Sequence, residues 1–379
     1  MKISMRPEIG KFMTFDISKE KPVHGWFWYK EGFAPEIVEY ALHDHHNKQK
    51  VVLDPFCGVG TSLLAAKKAG LHSIGVDASP LAVFISKTKT DDYDKSDLEA
   101  ALVFLTKKLD PAPETDWQFE LFDTRAAFPK RNYNEILALR YAIEQEEGRV
   151  RNLLLLALLS VLPQASIVMK DGGVLKIRKE KRAMPAKEIF KRRVKRMVHD
   201  LEYFPVSGSP PQVFIGDARA LDIGGESVDL VITSPPYLNN IDYSKVYGLE
   251  LSLLHMSKSE AEQMRMRAIR SFIGKRMEVR AMPPEVGEIG YRIPIIGTYF
   301  SDMERTIEEL YRVLAIGGTC NMIVSNSVIH ETHVLVDEIL AEMAERIGFS
   351  TEIIVGAERI ADVRPQKVKT RESMVVMRK

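Results

Sequence analysis

The chain has 379 residues, a formal net charge of +1, 45% hydrophobic residues and 28% charged residues, as is ordinary for a globular protein of one large or two smaller domains. Cys57 and Cys320 are the two cysteines and lie far apart in sequence, so neither a disulfide scaffold nor a zinc site is indicated, and we expect no metal. Residues 1–12 lack a signal-type apolar core, and the longest apolar run, residues 153–162, is too short to span a bilayer. We therefore expect a cytoplasmic protein without membrane contact.

An aromatic-rich segment precedes the first predicted helix. Residues 26–29 read Trp-Phe-Trp-Tyr, and Phe33 follows shortly after them. Pro35 suits a first helical turn, and the apolar spacing behind it predicts a short amphipathic helix. Such an aromatic cluster is more often part of a hydrophobic core than of a binding surface, so we expect these rings to be buried.

Residues 51–80 predict one β-α-β unit. A strand at residues 51–53 is closed by Asp54-Pro55, a turn with two glycines follows, and a helix begins near Ser62. After a break at Gly70, a second strand ends in Asp77, about 20 residues beyond the glycine turn, where a ribose-binding carboxylate belongs. The whole unit favours an adenosine-type cofactor over an α/β turn that binds nothing.

Residues 91–210 interrupt the alternation of strands and helices. Residues 134–164 predict two helices broken near Gly148. Residues 170–196 contain twelve lysines and arginines against three acidic residues, partly in a predicted loop, which favours contact with phosphates over a solvated helix face. With two cations from a later insertion, the predicted DNA-binding residues are Lys176, Arg178, Lys179, Arg182, Arg192, Arg193, Arg196, Lys275 and Arg276.

The alternation resumes at Gln212 and leads to an unusual corner. A strand at residues 213–215 is followed by Asp217 and Ala218, and an apolar strand at residues 228–232 runs into Thr-Ser-Pro-Pro-Tyr, residues 233–237. Prolines have no amide hydrogen, so strand pairing must stop there, at the carboxyl end of a strand where open α/β sheets bind ligands. A hydroxyl, backbone carbonyls and an aromatic face are the groups needed to hold a flat base with an exocyclic amine. The alternative is a strand terminator with a buried tyrosine.

The remainder contains a second insertion and a closing pair of strands. Residues 257–298 are rich in arginine, proline and glycine, and their position beside the corner suggests either a substrate clamp or an ordinary surface excursion. Residues 350–356 and 373–377 predict an antiparallel pair.

Two of these motifs carry a family resemblance. Residues 54–61, Asp-Pro-Phe-x-Gly-x-Gly-Thr, resemble the first motif of S-adenosylmethionine-dependent DNA amino-methyltransferases, and Ser234 to Tyr237 resemble the fourth, catalytic motif in its Ser-Pro-Pro-Tyr form. The resemblance implies the class I methyltransferase, Rossmann-like α/β fold: a mostly parallel seven-stranded sheet with helices on both faces and one reversed strand. Residues 1–90 and 211–379 would form the catalytic domain, with 91–210 an inserted, largely helical target-recognition region.

The resemblance also assigns roles to residues. Ser234 and the Pro235 carbonyl would accept the hydrogens of an exocyclic amine, Pro236 would stiffen the corner, and Tyr237 would stack on a flipped base. Asp77 would bind the ribose of S-adenosyl-L-methionine. The expected cofactor-binding residues are Tyr29, Phe33, Asp54, Phe56, Gly58, Gly60, Thr61, Asp77, Asp217 and Ala218.

The identity of the methylated base is left open by the residues. In the family, Ser before Pro-Pro accompanies mainly the N4 amine of cytosine, which Ser234 therefore favours over the N6 amine of adenine. An RNA base methyltransferase and a non-catalytic nucleic-acid-binding protein with a cofactor pocket are further alternatives. The expected partner is double-stranded DNA; whether a cognate restriction endonuclease accompanies the protein is not given by the sequence.

Overall fold

The computed structural model describes residues 2–29, 32–43, 50–112, 121, 123–171, 173–239, 241–272, 281–363 and 366–379. Within these ranges, no helix is both long and apolar enough to cross a membrane. The first elements in chain order are β1 (Lys2–Met5), α1 (Pro7–Gly10), α2 (Pro35–Leu42), β2 (Val51–Asp54), α3 (Thr61–Lys68), β3 (His72–Asp77) and α4 (Pro80–Thr90).

The inserted region is mainly helical, with a short hairpin before its last helix. The two helices expected on either side of Gly148 are present, and Gly148 has a positive φ of 55° at the break. The hairpin was not predicted from the sequence. The elements are α5 (Lys95–Phe104), α6 (Thr124–Ala127), α7 (Lys130–Glu144), α8 (Gly148–Ala165), β4 (Val168–Asp171), β5 (Val174–Ile177) and α9 (Ala186–Tyr203).

The C-terminal part returns to strands and supplies the longest helix of the described chain. Its elements are β6 (Gln212–Ile215), β7 (Val228–Thr233), α10 (Tyr243–Val246), α11 (Gly248–Leu253), α12 (Lys258–Arg267), α13 (Glu288–Arg292), α14 (Pro294–Val313), β8 (Leu314–Ser325), β9 (Ser327–Ile329), β10 (Thr332–Val334), α15 (Val336–Ile347), β11 (Ser350–Val363) and β12 (Gln366–Arg378).

The main sheet has the order β1-β11-β12-β8-β7-β2-β3-β6. Neighbouring strands from β8 to β6 pair in parallel, whereas β12 pairs antiparallel with both β8 and β11. The expected seven strands with one reversed strand are therefore confirmed. An eighth, β1, adds to the edge by pairing in parallel with β11, and no sequence pattern had indicated it.

Helices cover both faces of the sheet because alternate side chains of its strands point to opposite faces. Val52 and Leu230 pack in one buried cluster with residues of α2 and α3. Leu53 and Val231 pack in another with residues of α14 and α15. This arrangement is the class I methyltransferase fold.

The insertion shares a hydrophobic core with the sheet domain. Most apolar side chains of α8 are buried. They belong to one hydrophobic cluster with Trp26 and Phe27 of the N-terminal segment and with Leu81 and Ile85 of α4. Asp200 of α9 contacts the N-terminal segment directly. It accepts hydrogen bonds from Nε1 of Trp26 at 2.9 Å and from the Val23 amide at 3.2 Å. The insertion and the N-terminal segment are thus packed as one body.

Candidate active site

The ends of β2 and β7 lie side by side, and Asp54 joins them. Oδ1 of Asp54 accepts hydrogen bonds from the Thr233 hydroxyl at 2.7 Å and from the Phe56 amide at 3.1 Å, and Oδ2 accepts from the Ser62 hydroxyl at 2.6 Å. Asp54 is only 2% exposed, and burial raises its pKa to about 6 although all three donors oppose the shift.

The glycine turn requires glycine at its second position. Gly60 has a φ of +77°, and a Cβ added there would lie 2.8 Å from Cβ of Ser86 in α4. Gly58, with a φ of +49°, would place a Cβ 3.4 Å from Cε1 of Tyr29. The turn is therefore packed against α4 on one side and presents backbone toward Tyr29 on the other.

Asp77 at the end of β3 holds this turn from the opposite side. Its Oδ2 accepts from the Gly58 amide at 2.9 Å, and its Oδ1 accepts from the Ser79 amide at 2.8 Å. Burial raises the pKa of Asp77 to about 6 as well. Among the described residues, neither Asp77 nor Asp54 has a cation within salt-bridge distance. Asp54 is buried and Asp77 is half-buried. Two carboxylates in this setting suit a cationic ligand with hydroxyl groups, which is the chemistry of S-adenosyl-L-methionine.

A cavity opens over these strand ends and brings most of the predicted site residues together. It is lined by Asp54 and Asp77, by residues of the glycine turn and by all four residues of the Ser-Pro-Pro-Tyr corner. The predicted residues in the lining are Tyr29, Phe33, Asp54, Phe56, Gly58, Thr61, Asp77, Ala218, Ser234, Pro235, Pro236 and Tyr237.

Two predicted cofactor residues, Gly60 and Asp217, are not in the cavity lining. Gly60 has no side chain, which allows the start of α3 to lie close to Ser86 of α4. The Asp217 carboxylate is engaged by Arg219, whose Nε and Nη2 donate at 2.8 and 2.7 Å, so it holds its own turn while its neighbours Gly216 and Ala218 line the cavity. The adenine-contact role expected of Asp217 stays a prediction.

Ser234 and Tyr237 bring two hydroxyl groups to the corner. Burial raises the pKa of the Tyr237 phenol well above its usual range, and the nearby Glu372 carboxyl adds to the shift, while hydrogen bonding with Ser234 opposes it. The phenol consequently stays protonated at neutral pH. The Ser234 hydroxyl can accept a hydrogen bond from a ligand.

The second insertion contributes lining residues that motif reasoning missed. The end of α12 supplies Met264 and Arg267, and residues 268–269 follow them in the lining. The Arg265 Nε donates at 2.8 Å to the Ser244 hydroxyl, which fixes α12 against α10. The position of residues 257–298 after the corner was the one sequence signal for this contact, and it did not single out a residue.

The described cations of the predicted DNA-binding set lie at the end of β5, in the loop that follows it and on α9, outside the cavity lining. Arg193 is half-buried, with its Nη1 3.5 Å from the Gly25 carbonyl oxygen and 3.4 Å from that of Trp26. Lys275 and Arg276 lie outside the described residues. The exposed members of the predicted set are Lys176, Arg178, Lys179, Arg182, Arg192 and Arg196.

Comparisons with known proteins agree with this site. A family model described as DNA methylase matches residues 13–88. Type II methyltransferase M.AvaI of Nostoc sp. (strain PCC 7120) is 26% identical, over 91% of this chain and 83% of that protein. Type II methyltransferase M.BsoBI of Geobacillus stearothermophilus is 24% identical, over 89% of this chain and 81% of that protein.

Among solved structures, a putative DNA modification methylase of Thermus thermophilus, in complex with S-adenosyl-L-methionine, aligns with a TM-score of 0.26 and 17% identity, over 44% of this chain and 54% of that one. The sequence relatives, by contrast, match along most of the chain, and both family motifs meet at one cavity. Together, the family model, the sequence relatives and the site support an S-adenosyl-L-methionine-dependent DNA amino-methyltransferase of the kind that modifies N4 of cytosine or N6 of adenine.

Proposed function

We propose that this DNA methyltransferase is of Type II, as its relatives are named, and that it methylates the exocyclic N4 amine of cytosine in a specific duplex sequence. One observation carries the proposal: Ser234 and Pro235 line the same cavity as the two carboxylates expected to hold the cofactor. A restriction endonuclease of the same specificity is the partner that a Type II assignment implies.

The residues of the cavity fit the cofactor. Asp77 would accept hydrogen bonds from the ribose hydroxyls, and Asp54 with the turn behind it would lie at the methionine end, bordered by Tyr29 and Phe33. The backbone at Gly58 leaves room that a side chain would take, since a Cβ there would approach Tyr29 to 3.4 Å. The bound cofactor supplies a methyl group that is already activated by its positively charged sulfur.

The corner would make the amine nucleophilic. The lone pair of an exocyclic amine is delocalised into the ring, so the amine is a poor nucleophile until its hydrogens are held out of the ring plane. The Ser234 hydroxyl and the Pro235 carbonyl would accept those hydrogens and direct the lone pair at the methyl group. The cofactor would give its methyl group to the amine nitrogen and leave as the neutral thioether, and the nitrogen would release one proton to water. In-line positioning supplies most of the remaining acceleration.

Tyr237 would lie against a target base that has left the helix. A base stacked in a duplex cannot reach a corner at the end of a buried strand, so flipping is required. The chemistry needs no covalent nucleophile, and burial raises the pKa of the Cys57 and Cys320 thiols. Both thiols therefore stay protonated at neutral pH.

The choice of cytosine rests on Ser234, which in this family accompanies mainly the N4 amine. We expect labelled S-adenosyl-L-methionine and unmethylated duplex DNA to yield labelled N4-methylcytosine after digestion to nucleosides. Label in N6-methyladenine would reject cytosine as the target, and label only in an RNA sample would reject DNA. No label in any sample would favour the non-catalytic alternative.

A further inference from the structure

A second cavity, of about 710 Å³, lies between the N-terminal segment and the insertion. Its walls come from residues 19–28, the end of α8, the β4–β5 hairpin, α9 and the start of α11, and among the described residues it shares no lining residue with the first cavity. Its volume is within the range of roughly 300–1,000 Å³ in which proteins bind small organic molecules. It is therefore large enough for a nucleotide.

The lining of this cavity is strongly basic. Among the described residues, five cations face two carboxylates, Glu20 and Glu250, which leaves an excess of three positive charges in a chain whose formal net charge is +1. Such a concentration attracts an anion, because salt screens the compensating negative charges that lie elsewhere on the chain. The cations are Lys19, Lys170, Lys181, Arg193 and Arg196.

Backbone carbonyls hold two of these cations without neutralising them. Lys181 Nζ donates to the carbonyl oxygens of Pro163 and Val168, both at 2.6 Å. Arg193 Nη1 approaches those of Gly25 and Trp26. Burial lowers the pKa of Lys181 and of Arg193, as expected of cations that would be stabilised by a bound anion.

The rim cations have carboxylate partners that a phosphate can replace. Lys19 Nζ lies 2.7 Å from Oδ1 of Asp16, and Arg196 Nη2 lies 3.7 Å from Oε2 of Glu20. The two acidic side chains are 74% and 89% exposed. Ion pairs of this exposed kind contribute about 0–1 kcal/mol, so exchanging them for a phosphate costs little.

The second cavity is also lined by an exposed aromatic side chain, that of Trp28. Trp28 is 45% exposed, whereas the neighbouring Phe27 is buried, and both line the cavity. The Nζ of Lys19 lies 5.1 Å from the centroid of the Trp28 ring. An exposed aromatic ring beside cations is a typical platform on which a nucleic-acid base stacks. The expectation that all rings of this aromatic cluster are buried is therefore wrong for Trp28.

One aromatic pair connects the lining of this cavity with that of the first cavity. The rings of Tyr29 and Tyr247 stack with centroids 5.0 Å apart and an interplanar angle of 10°. The Nζ of Lys170 lies 3.6 Å from the Tyr247 centroid. Tyr29 lines the first cavity and Lys170 the second, so Tyr247 contacts one lining residue of each.

From this juxtaposition we propose that the second cavity binds one further nucleotide of the DNA substrate, distinct from the target nucleotide. Its phosphate contacts Lys19 and Arg196, and its base stacks on Trp28. Gln164 and Glu250, which share the lining, offer acceptors for the edge of that base. The assignment to DNA rests on the proposed function; a free nucleotide has the same chemistry and is separated from DNA by the experiment.

The experiment compares variants of the full-length protein for binding to a fluorescent duplex. Trp28→Ala is expected to weaken duplex binding about tenfold or more, and Lys19→Ala to lower the slope of log K against log salt concentration by about one. Tyr203→Ala is the matched control, because Tyr203 is a 67% exposed aromatic on α9 outside the cavity lining, and it should bind as the wild type does. The affinity for S-adenosyl-L-methionine should stay unchanged in all three.

A cross-linking arm identifies the contact directly. A duplex containing 5-bromouracil is irradiated with the wild-type protein, and a cross-linked peptide that includes Trp28 is expected. Wild-type affinity of Trp28→Ala for the duplex overturns the proposal, as does free dCMP that binds at Trp28 and is not displaced by duplex DNA. These measurements require no turnover, so a failure of DNA methylation would refute the proposed function separately.

Discussion

The hydroxyl of Thr233 donates a 2.7 Å hydrogen bond to Oδ1 of Asp54, and this contact joins the strand that leads into the cofactor turn to the strand that leads into the catalytic corner. Ser62 reinforces the junction, because its hydroxyl lies 2.6 Å from Oδ2 of Asp54 and 3.2 Å from the Ile232 carbonyl oxygen. A displacement of about 1 Å between methyl donor and amine is enough to slow a transfer reaction greatly. The position of the corner relative to the cofactor is therefore set by a buried polar junction as well as by sheet pairing.

Replacement of Thr233 by valine should break this junction without changing the volume of the side chain. We expect Thr233→Val to lower the free energy of unfolding by about 1–3 kcal/mol, because a buried carboxylate oxygen loses a donor. The turnover number should fall as well. Urea denaturation and steady-state kinetics measure both effects, and Thr233→Ser, which retains the hydroxyl, serves as the control. Equal stability of the valine variant and the wild type would refute the role of the junction.

Cofactor binding should depend on pH through Asp54 and Asp77. Burial raises both pKa values from 3.8 to about 6, so between these values the native protein keeps protons that the unfolded chain has lost. The contribution of these groups to stability therefore falls as pH rises through this window. A cationic cofactor favours the ionised carboxylates, so its affinity should rise between pH 5 and 7, by about tenfold for each of the two carboxylates that must be ionised.

Titration calorimetry at several pH values tests this dependence. Asp77→Asn should bind the cofactor more weakly at pH 7 and show a flatter pH profile, since one of the two titrating groups is gone. A control with Asp222→Asn, an exposed acid outside the cavity lining, should retain the wild-type profile. A wild-type affinity that is constant from pH 5 to 7 would contradict the prediction.

Gly60 and Gly70 form a matched pair for the cofactor turn. Both have a positive φ, +77° and +73°, but a Cβ at Gly60 would meet Cβ of Ser86 at 2.8 Å, whereas a Cβ at Gly70 would have no atom of the described residues within 4 Å. Gly70→Ala should cost about 1–2 kcal/mol from the backbone alone. Gly60→Ala should cost about 1–3 kcal/mol more, from overpacking. Thermal or urea unfolding measures both losses of unfolding free energy. Equal losses in the two variants would contradict the predicted clash with Ser86.

The sequence predicted which residues come together at the first cavity where strand ends decide their position. Asp54, Asp77 and Ser234 lie at or just after strand ends, and parallel pairing alone brings such ends to one edge of the sheet. Side-chain pairing and edge additions were not predictable: the pairing of Asp217 with Arg219 depends on one rotamer, and no periodicity marks an added edge strand.

Side-chain positions in and beside the inserted regions were harder to predict, because they depend on tertiary packing. The exposure of Trp28 is decided by how α8 and α9 pack beside it, and Arg267 reaches the cavity because Arg265 and Ser244 fix α12. Neither arrangement can be predicted from composition or from residue spacing. Charge counting did locate the basic region, but not the cavity that its side chains line.

Ser234 offers the most direct test of the proposed chemistry. Ser234→Ala removes the side-chain acceptor for the amine while leaving the Pro235 carbonyl in place, so we expect the turnover number to fall about 10²–10³-fold, as when one hydrogen-bonding group is lost at a reacting centre. Cofactor affinity should change less than twofold. Ser227, an exposed serine at the other end of the same strand region whose hydroxyl donates to the Gly224 carbonyl, supplies the control Ser227→Ala. Single-turnover methylation of duplex DNA measures the step, and a rate for Ser234→Ala within a few-fold of the control would show that the amine is activated by the backbone alone.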